Sequence, residues 1–384
     1  MRFFHLSDLH IGRRLHYYNL LEDQRYILNE VAGYVEQMHP DAVVIAGDIY
    51  DKAVPSAEAV SLFDDFLTKL ADIAPYAAVL IISGNHDSSQ RLDYASRLLG
   101  RQNIYIAGEP PAEKEDHLKI VTLSDEYGEV NFYLLPFLKP GYVRNVFEKE
   151  APENYSEAVA RILEREEIDC TKRNVLVSHQ FYTGNGDIPD TCDSEMFSVG
   201  GIDNVDIRPL LQFDYAALGH IHRAQQVGKP FIRYCGTLLK YSVSEAEHNK
   251  TLHMVELKGK GTEIHVELLP LHPLRNVCRV RGEMDEILKN AKLEDKDDYV
   301  SITLTDEIEP YRPKEQLEKV YSHILEIRMD NTRTRKRLGE FDMKTEITDP
   351  LTLFNDFFRE IQGREISGKE RDILEQVLDR AKGE

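Results

Sequence analysis

Short apolar runs that end in polar clusters constrain the fold of this 384-residue chain more than any other feature of its sequence. The runs are rich in Val, Ile, Leu and Ala, and amphipathic stretches separate them, which is the pattern of strands and covering helices in an α/β layer structure. The polar clusters follow the carboxyl ends of these runs, where ligands collect in open α/β sheets. We predict strands at residues 2–6, 42–46, 79–83, 131–135, 174–178 and 215–218.

Changes in this pattern predict three parts along the chain. Residues 1–271 carry the α/β pattern, and Pro270 and Pro273 mark its end. Residues 272–340 predict a small α+β domain, and residues 345–384 predict a helix-loop-helix. Within the small domain we predict strands at 277–280 and 299–304 and helices at 284–291 and 313–325.

The first helix of the C-terminal segment carries bulky apolar side chains at helical spacing. A short helix pair cannot bury such a stripe by itself, so the stripe packs either on the body of the chain or in the groove of a partner. The stripe consists of Leu353, Phe354, Phe357, Phe358 and Ile361.

Composition places the chain among water-soluble globular proteins. It is 42% hydrophobic and 30% charged, and we find no signal peptide and no apolar run long enough to span a membrane. The four cysteines are widely spaced without a CxxC pair, which favours reduced thiols and a cytoplasmic location. The net charge of -20 argues against a uniformly basic nucleic-acid surface, although it allows local basic stretches such as residues 333–337.

Five polar clusters are candidates for a functional site. Taken singly, each has an ordinary structural explanation: a turn with a surface histidine, a carboxylate that caps a helix, or an asparagine in a left-handed loop. Their joint occurrence, each after a predicted strand, instead favours one shared site. The clusters are Asp8-Leu9-His10, Gly47-Asp48-Ile49-Tyr50-Asp51, Gly84-Asn85-His86-Asp87, Ser178-His179-Gln180 and Gly219-His220-Ile221-His222.

The residue types in these clusters suit a site with two metal ions that hydrolyses phosphate esters. A carboxylate can bridge two cations, while neutral imidazoles complete each coordination shell without cancelling the charge that polarises the phosphate. Carboxylate, amide and imidazole ligands without thiolate favour Mn²⁺, with Mg²⁺, Fe or Zn²⁺ as alternatives. In the DxH and HxH pairs, alternate side chains of an extended segment point to the same side.

The order of these motifs resembles the calcineurin-like phosphoesterase superfamily, and the longer strings resemble its SbcD family of double-strand-break repair nucleases. This resemblance implies an α/β four-layer metallophosphoesterase sandwich, in which two mixed β-sheets are flanked by helices. It also implies a small α+β cap domain that binds DNA and a C-terminal helix pair that binds an ATPase. The strings that carry the resemblance are residues 5–12, 47–51, 135–138, 217–223 and 234–238.

The resemblance also implies roles for individual residues. Asp8, His10 and His222 would hold one Mn²⁺, and Asn85, His179 and His220 would hold the other, with Asp48 as the bridge. His86 would be the catalytic histidine, acting on the substrate without binding a metal. Asp51 would orient His86; the alternative is that Asp51 caps a helix or turn.

The family further implies an activity and partners. It implies exonuclease action on double-stranded DNA ends and endonuclease action on single strands and hairpins, in DNA repair, recombination and replication, by a cytoplasmic, nucleoid-associated protein. An SbcC-type coiled-coil ATPase would be the partner, with a homodimer formed through residues 57–70 and two ATPase chains completing a heterotetramer. Two alternatives stay open: a stand-alone metallophosphoesterase acting on nucleotides or other phosphodiesters, and a non-catalytic adaptor.

Overall fold

The computed structural model covers the whole chain and describes most of it. The residues outside the description are 148–149, 185–188, 196–202, 293–294, 336–353, 355–357, 360–363, 365, 369, 372–373 and 375–384.

The described residues form strands and helices that alternate over the first half of the chain. The strands are β1 Arg2–Leu6, β2 Arg14–Leu15, β3 Tyr18–Asn19, β4 Ala42–Ala46, β5 Ala78–Ile82, β6 Ile104–Ala107, β7 Lys119–Asp125, β8 Gly128–Leu135, β9 Arg173–His179, β10 Phe181–Thr183, β11 Asn204–Asp206, β12 Tyr215–Gly219, β13 Gln225–Val227, β14 Lys229–Tyr234, β15 Thr251–Glu256, β16 His265–Pro270, β17 Val277–Gly282, β18 Tyr299–Leu304 and β19 His323–Met329. The α-helices are α1 Leu21–Met38, α2 Ala57–Ile73, α3 Ser89–Leu92, α4 Ser96–Leu99, α5 Tyr155–Arg165, α6 Met284–Asn290 and α7 Pro313–Leu317. Short 3₁₀ segments lie at Gly100–Gln102, Pro140–Val146, Arg208–Gln212 and Val243–Glu245.

Two six-stranded mixed sheets form the centre of the structure. In the first sheet the strand order is β16-β15-β1-β4-β5-β6, and in the second it is β13-β14-β12-β9-β8-β7. The strands β1, β4, β5 and β6 run parallel, as do β8, β9, β12 and β14, so their carboxyl ends lie at one edge of each sheet. The antiparallel strands are β15 and β16 in the first sheet and β13 and β7 in the second.

Burial on both faces explains why the central strands are continuous apolar runs. In β4, adjacent side chains point to opposite faces of the sheet. Val43 packs against the helices α1 and α2, whereas Val44 packs between the two sheets. On the far side of the second sheet, α5 buries Val159 and Ile162 against the strands. The layers therefore follow the order helix, sheet, sheet, helix, and the four-layer α/β sandwich predicted from the sequence is confirmed.

The chain divides into two compact units. The larger consists of residues 1–280, 291–302 and 315–326, and it contains both six-stranded sheets. The smaller takes residues 281–290, 303–314 and 327–384. Within the smaller unit, Asp306 accepts a hydrogen bond from the first amide of α6 at 3.0 Å. The domain boundaries inferred from the sequence, 1–271, 272–340 and 345–384, stay a prediction.

Most predicted elements of the small α+β region form, but one predicted helix is wrong. The strands at 277–280 and 299–304 and the helix at 284–291 appear as β17, β18 and α6. The predicted helix at 313–325 ends at Leu317, because β19 begins at His323 and joins β18 in a three-stranded sheet. The β-branched Ile324 and Ile327 suit this extended conformation.

Three further predictions concern the cysteines, membrane spans and the C-terminal helices. All four cysteines are unpaired thiols. In the described part of the chain, no helix is long and apolar enough to cross a membrane. Leu353, Phe357 and Ile361 of the predicted C-terminal stripe lie outside the described residues, as does most of the segment from 345 to 384.

A buried ion pair holds the amino-terminal ends of β8 and β9 in the larger unit. The Arg173 side chain is 2% exposed, and it donates to the Asp125 carboxylate and to the carbonyl oxygens of Gly128, Leu257 and Lys258. Burial raises the pKa of Asp125, but the hydrogen bonds from Arg173 and from the amino group of Met1 outweigh it and hold that pKa below its usual value.

Replacing Arg173 with methionine removes one of the two cations that pair with the Asp125 carboxylate, since the amino group of Met1 is the other, and it removes a donor from the carbonyl oxygens of Gly128 and Lys258. We expect the free energy of unfolding, measured by urea titration with circular dichroism, to fall by about 1–3 kcal/mol, the cost of buried polar groups that lose their partner. The matched control is Lys172→Met, because the neighbouring Lys172 forms an exposed pair with Glu129 at 2.8 Å. Exposed pairs contribute roughly 0–1 kcal/mol, so equal losses for the two variants would contradict the assigned role of Arg173.

Candidate metal centre

The carboxyl ends of five parallel strands bring all seven predicted metal ligands together. Asp8 and His10 follow β1, Asp48 follows β4, and Asn85 follows β5, all in the first sheet. The second sheet contributes the remaining residues: His179 ends β9, and His220 and His222 follow β12.

The backbone at these strand ends is in an unusual conformation. Asp8, His10, Asp48 and His220 have φ angles of 53°, 42°, 50° and 100°. Left-handed conformations cost free energy for residues with a Cβ, and they persist where the surrounding structure holds them. Here the loop after β1 is tied to the loop after β4, because the His10 amide donates to the Asp48 carbonyl at 3.0 Å. The strained conformations therefore aim these side chains into one site.

Asp48 occupies the centre of the cluster. Its Oδ2 atom lies 3.6 Å from Nε2 of His10 and 3.4 Å from Nε2 of His179. Its Oδ1 atom accepts a hydrogen bond from the His86 amide at 2.9 Å, which fixes the carboxylate in this orientation. One carboxylate oxygen between two imidazoles of different sheets is the arrangement that a bridging ligand requires.

One group of candidate ligands lies on the His10 side of Asp48. The Nε2 atoms of His10 and His222 are 3.1 Å apart, and the Asp8 carboxylate completes the group. Nδ1 of His10 is buried without a hydrogen-bond partner among the described residues, and its ring packs edge-on against His86 at 4.9 Å. The carboxylate of Asp8 accepts the backbone N–H of His220 at 3.1 Å, which ties the two sheets together.

The second group of candidate ligands lies on the His179 side of Asp48. Oδ1 of Asn85 is 3.1 Å from Nε2 of His179 and 2.9 Å from Nδ1 of His220. Nδ1 of His179 donates to the Ala46 carbonyl at 2.8 Å, which leaves Nε2 as the nitrogen free to bind a cation. An amide oxygen and two imidazole nitrogens thus converge on one point next to Asp48.

The charge states of these residues suit cation binding. Burial lowers the pKa of His10, His220 and His222, that of His220 to about 3, so these three imidazoles are neutral at physiological pH. Burial would also lower the pKa of His179, but the Asp48 carboxylate outweighs it and raises this pKa to about 9. Asp48 therefore places a strong negative potential where a cation would lie.

The structure places His86 beside the cluster. Its Nδ1 lies 2.9 Å from the backbone carbonyl oxygen of Asp51, whereas the Asp51 carboxylate pairs with Arg13 at 3.0 Å. The role predicted for the Asp51 side chain stays a prediction, since the contact with His86 is made by the backbone. Asp87 accepts hydrogen bonds from the amides of Ile49, Tyr50 and Gly84, and so joins the loops after β4 and β5.

A buried polar network behind His222 was not found from the sequence. Nδ1 of His222 donates to Oγ of Ser194 at 2.7 Å, and the Ser194 hydroxyl donates to Glu245 at 2.7 Å. Glu245 pairs in turn with Lys250 at 2.6 Å, and both side chains are buried. Glu195 accepts the backbone amide of His222 at 2.5 Å. The network fixes the His222 tautomer with Nε2 free for a metal.

No spacing rule could have identified this network. Ser194 and Glu245 are separated by 51 positions; Ser194 lies in a turn and Glu245 ends a short 3₁₀ segment. The available signal in the sequence was weak, because Glu245 and Lys250 stand among other polar residues in the stretch 242–251.

Family models match two stretches that together make up most of the chain. The model described as calcineurin-like phosphoesterase matches residues 1–224, which contain all seven candidate ligands and His86. A second model, described as type 5 capsule protein repressor C-terminal domain, matches residues 270–362. The chain therefore belongs to the calcineurin-like phosphoesterase family, and it is a metal-dependent phosphoesterase whose fold implies a site for two metal ions.

Curated relatives narrow this assignment. The chain is 30% identical over 382 residues to the D subunit of the SbcCD nuclease of Staphylococcus epidermidis, and the match covers 98% of each chain. It is 29% identical over 381 residues to the protein of the same name from Staphylococcus saprophyticus, again covering 98% of each. Within its family the chain thus belongs with the D subunits of SbcCD nucleases.

Among solved structures, the chain is similar to a dimetal phosphatase from Danio rerio. The TM-score is 0.41 at 13% sequence identity, and the likeness covers 70% of this chain and 95% of that one.

Removing the Ser194 hydroxyl should weaken metal binding. In Ser194→Ala, Nδ1 of His222 loses its acceptor, so we expect affinity for a divalent cation to fall by roughly 10- to 100-fold. Isothermal titration of the purified protein with MnCl₂ would measure this, and Ser322→Ala, at an exposed serine of the larger unit, is the control. Unchanged affinity in Ser194→Ala would exclude the network from metal binding.

A methyl group at Gly84 should displace Asp48. A Cβ there would lie 2.1 Å from Oδ1 of Asp48, closer than any real contact. We expect Gly84→Ala to lose bound metal, measured by mass spectrometry of the desalted protein. At Gly33 in α1 a Cβ would meet no atom within 4 Å, so Gly33→Ala should keep its metal and gain about 0.5–1 kcal/mol in stability. Full metal content in Gly84→Ala would show that Asp48 is not a required ligand.

Proposed function

We propose that this chain is the nuclease component of a manganese-dependent DNA-cleaving complex. It would act as an exonuclease on double-stranded DNA ends and as an endonuclease on single strands and hairpins, together with an SbcC-type coiled-coil ATPase. The curated relatives, which are named as D subunits of the SbcCD nuclease, support this proposal over 98% of the chain.

The position of Asp48 between the two imidazole groups is the observation that carries the chemistry. It supports a centre in which Asp8, His10 and His222 bind one ion, Asn85, His179 and His220 bind the other, and Asp48 bridges them. Oxygen and imidazole ligands without thiolate favour Mn²⁺. The bound ions would neutralise charge on the phosphate and activate water for attack.

His86 is the residue of the chain that acts on the leaving group. With Nδ1 engaged by the Asp51 carbonyl, the Nε2 atom is left for the substrate. The ring of His86 packs 4.9 Å from that of His10, so it lies beside the centre. From there His86 stabilises the developing charge or protonates the oxygen that leaves the phosphorus.

The proposed partners follow from the same relatives. The name of these relatives places them in a complex, SbcCD, which supports binding of an SbcC-type ATPase by the C-terminal segment. Two residues of the apolar stripe in that segment lie among the described residues. Phe354 is 39% exposed, and the centre of its ring lies 6.3 Å from the centre of the Phe358 ring. We propose that two copies of the chain form a homodimer through α2 and that two ATPase chains complete the assembly. Val60 on α2 is 45% exposed.

Replacing His86 tests the proposed chemistry. We expect His86→Ala to bind Mn²⁺ normally but to cleave end-labelled duplex DNA roughly 100- to 10,000-fold more slowly, the range for loss of a general acid. His117→Ala is the matched control, because His117 has a side chain 59% exposed and lies outside the centre. Undiminished cleavage by His86→Ala would remove His86 from the mechanism.

The same assay separates a nuclease from other phosphoesterases. Wild-type protein with MnCl₂ is incubated with labelled duplex DNA and, separately, with bis-(p-nitrophenyl) phosphate. Hydrolysis of the chromogenic ester with intact DNA would overturn the nuclease proposal in favour of a phosphoesterase for small substrates.

A further inference from the structure

A cavity opens directly beside the metal centre, on the side of Asn85. Its volume is about 300 Å³, at the lower end of the range for small-molecule sites. Both sheets contribute to its walls, through the loops that follow β5, β6 and β8. The lining residues are Ser83, Gly84, Asn85, Asp87, Ser89, Glu109, Pro110, Ala112, Phe137, Lys139 and Tyr142.

We propose that this cavity binds the nucleobase of the nucleotide whose phosphate lies at the metal centre. The proposal rests on the proposed function, because it takes the substrate to be a phosphodiester that carries a nucleoside. Asn85 belongs both to the candidate ligands and to the cavity wall, so a phosphate at the centre and a group in the cavity are near neighbours.

Phe137 is the first aromatic wall of the cavity. It is half-buried, and the centre of its ring lies 6.4 Å from that of the candidate ligand His179. The amide of Phe137 donates to the Ser83 carbonyl at 3.0 Å, which fixes the loop after β8 against the loop after β5. The backbone that carries the ring is therefore held in place before any substrate binds, which lowers the entropy that binding would cost.

Tyr142 supplies a second ring at the cavity. Tyr142 is 52% exposed there, and it lies in the 3₁₀ segment Pro140–Val146, whose neighbouring Val143 is buried. Aromatic side chains beside a phosphate site are the usual means of holding a base, because every base has a face that can stack. Two rings at one cavity suit a flat, aromatic ligand.

The charged groups at the cavity also suit a nucleotide. Nζ of Lys139 lies 5.9 Å from the centre of the Phe137 ring, and in the described part of the chain Lys139 has no carboxylate partner. A base stacked on this ring would move the ammonium towards a backbone phosphate. The exposed Glu109 at the cavity can accept a hydrogen bond from a base N–H group.

Three chromogenic diesters with the same leaving group test the proposal. They are the p-nitrophenyl phosphates of thymidine, esterified at its 3′ or at its 5′ oxygen, and methyl p-nitrophenyl phosphate, which has no base. For Phe137→Leu and Tyr142→Ala we expect the KM for one thymidine ester, relative to that for the methyl ester, to rise about tenfold. This factor corresponds to about 1.4 kcal/mol and lies within the range for one stacked base.

Two matched variants control for general damage. Phe147→Leu changes a half-buried phenylalanine outside the cavity, and Tyr127→Ala removes a tyrosine that is 49% exposed on another turn. Both should keep the wild-type KM ratio. Metal content, measured for all four variants, shows whether Phe137→Leu has disturbed the neighbouring ligands. Because the readout is the KM for a thymidine ester divided by the KM for the methyl ester, any loss of affinity common to the two esters cancels.

Each outcome decides the proposal separately from the nuclease function. A wild-type enzyme with equal KM values for the methyl ester and both thymidine esters would overturn the base site, even if it cleaves DNA. An unchanged KM ratio in Phe137→Leu and Tyr142→Ala would also overturn it. Preference for a thymidine ester without cleavage of DNA would retain the base site and reject the nuclease proposal.

Discussion

The position of the Asp48 carboxylate is the constraint on which the rest of the site depends. It is buried, and its Oδ2 atom lies 3.4 and 3.6 Å from imidazole nitrogens that come from different sheets. A buried carboxylate is costly unless it has cations or hydrogen-bond donors around it. The His86 amide supplies one donor, and the convergence of His10 and His179 creates a place for cations. Folding the sandwich therefore assembles the centre.

This assembly requires the two sheets to approach closely at their carboxyl edges. A Cβ on Gly219, at the end of β12, would lie 2.0 Å from the Ala46 carbonyl oxygen at the end of β4. A Cβ on Gly47 would lie 2.4 Å from Nδ1 of His179. Glycine before a ligand thus serves packing between the sheets as well as the turn itself. The strained φ angles of Asp8 and Asp48 are maintained by the same close approach.

The sequence predicted the strands and the ligand cluster because both depend on local patterns. Continuous apolar runs define the central strands, and the polar residue after each run lies at the sheet edge by necessity. The Ser194, Glu245 and Lys250 network depends on tertiary contacts between segments that are distant in the sequence, which no local pattern encodes. The predicted helix at 313–325 failed for a related reason: pairing with β18 decides the conformation of β19, whatever the local helical spacing.

The acidic charge of the chain and the proposed DNA substrate are compatible once the centre is considered. A net charge of -20 repels a polyanion at long range, and salt screens this repulsion beyond about 10 Å. At the site, the unscreened potential would be set by bound cations and by nearby groups such as Lys139. The carboxylates Asp8 and Asp48 lie among the candidate metal ligands, so their charge would strengthen metal binding. Attraction of the phosphate is thus a local property of the site, and the net charge of the whole chain does not determine it.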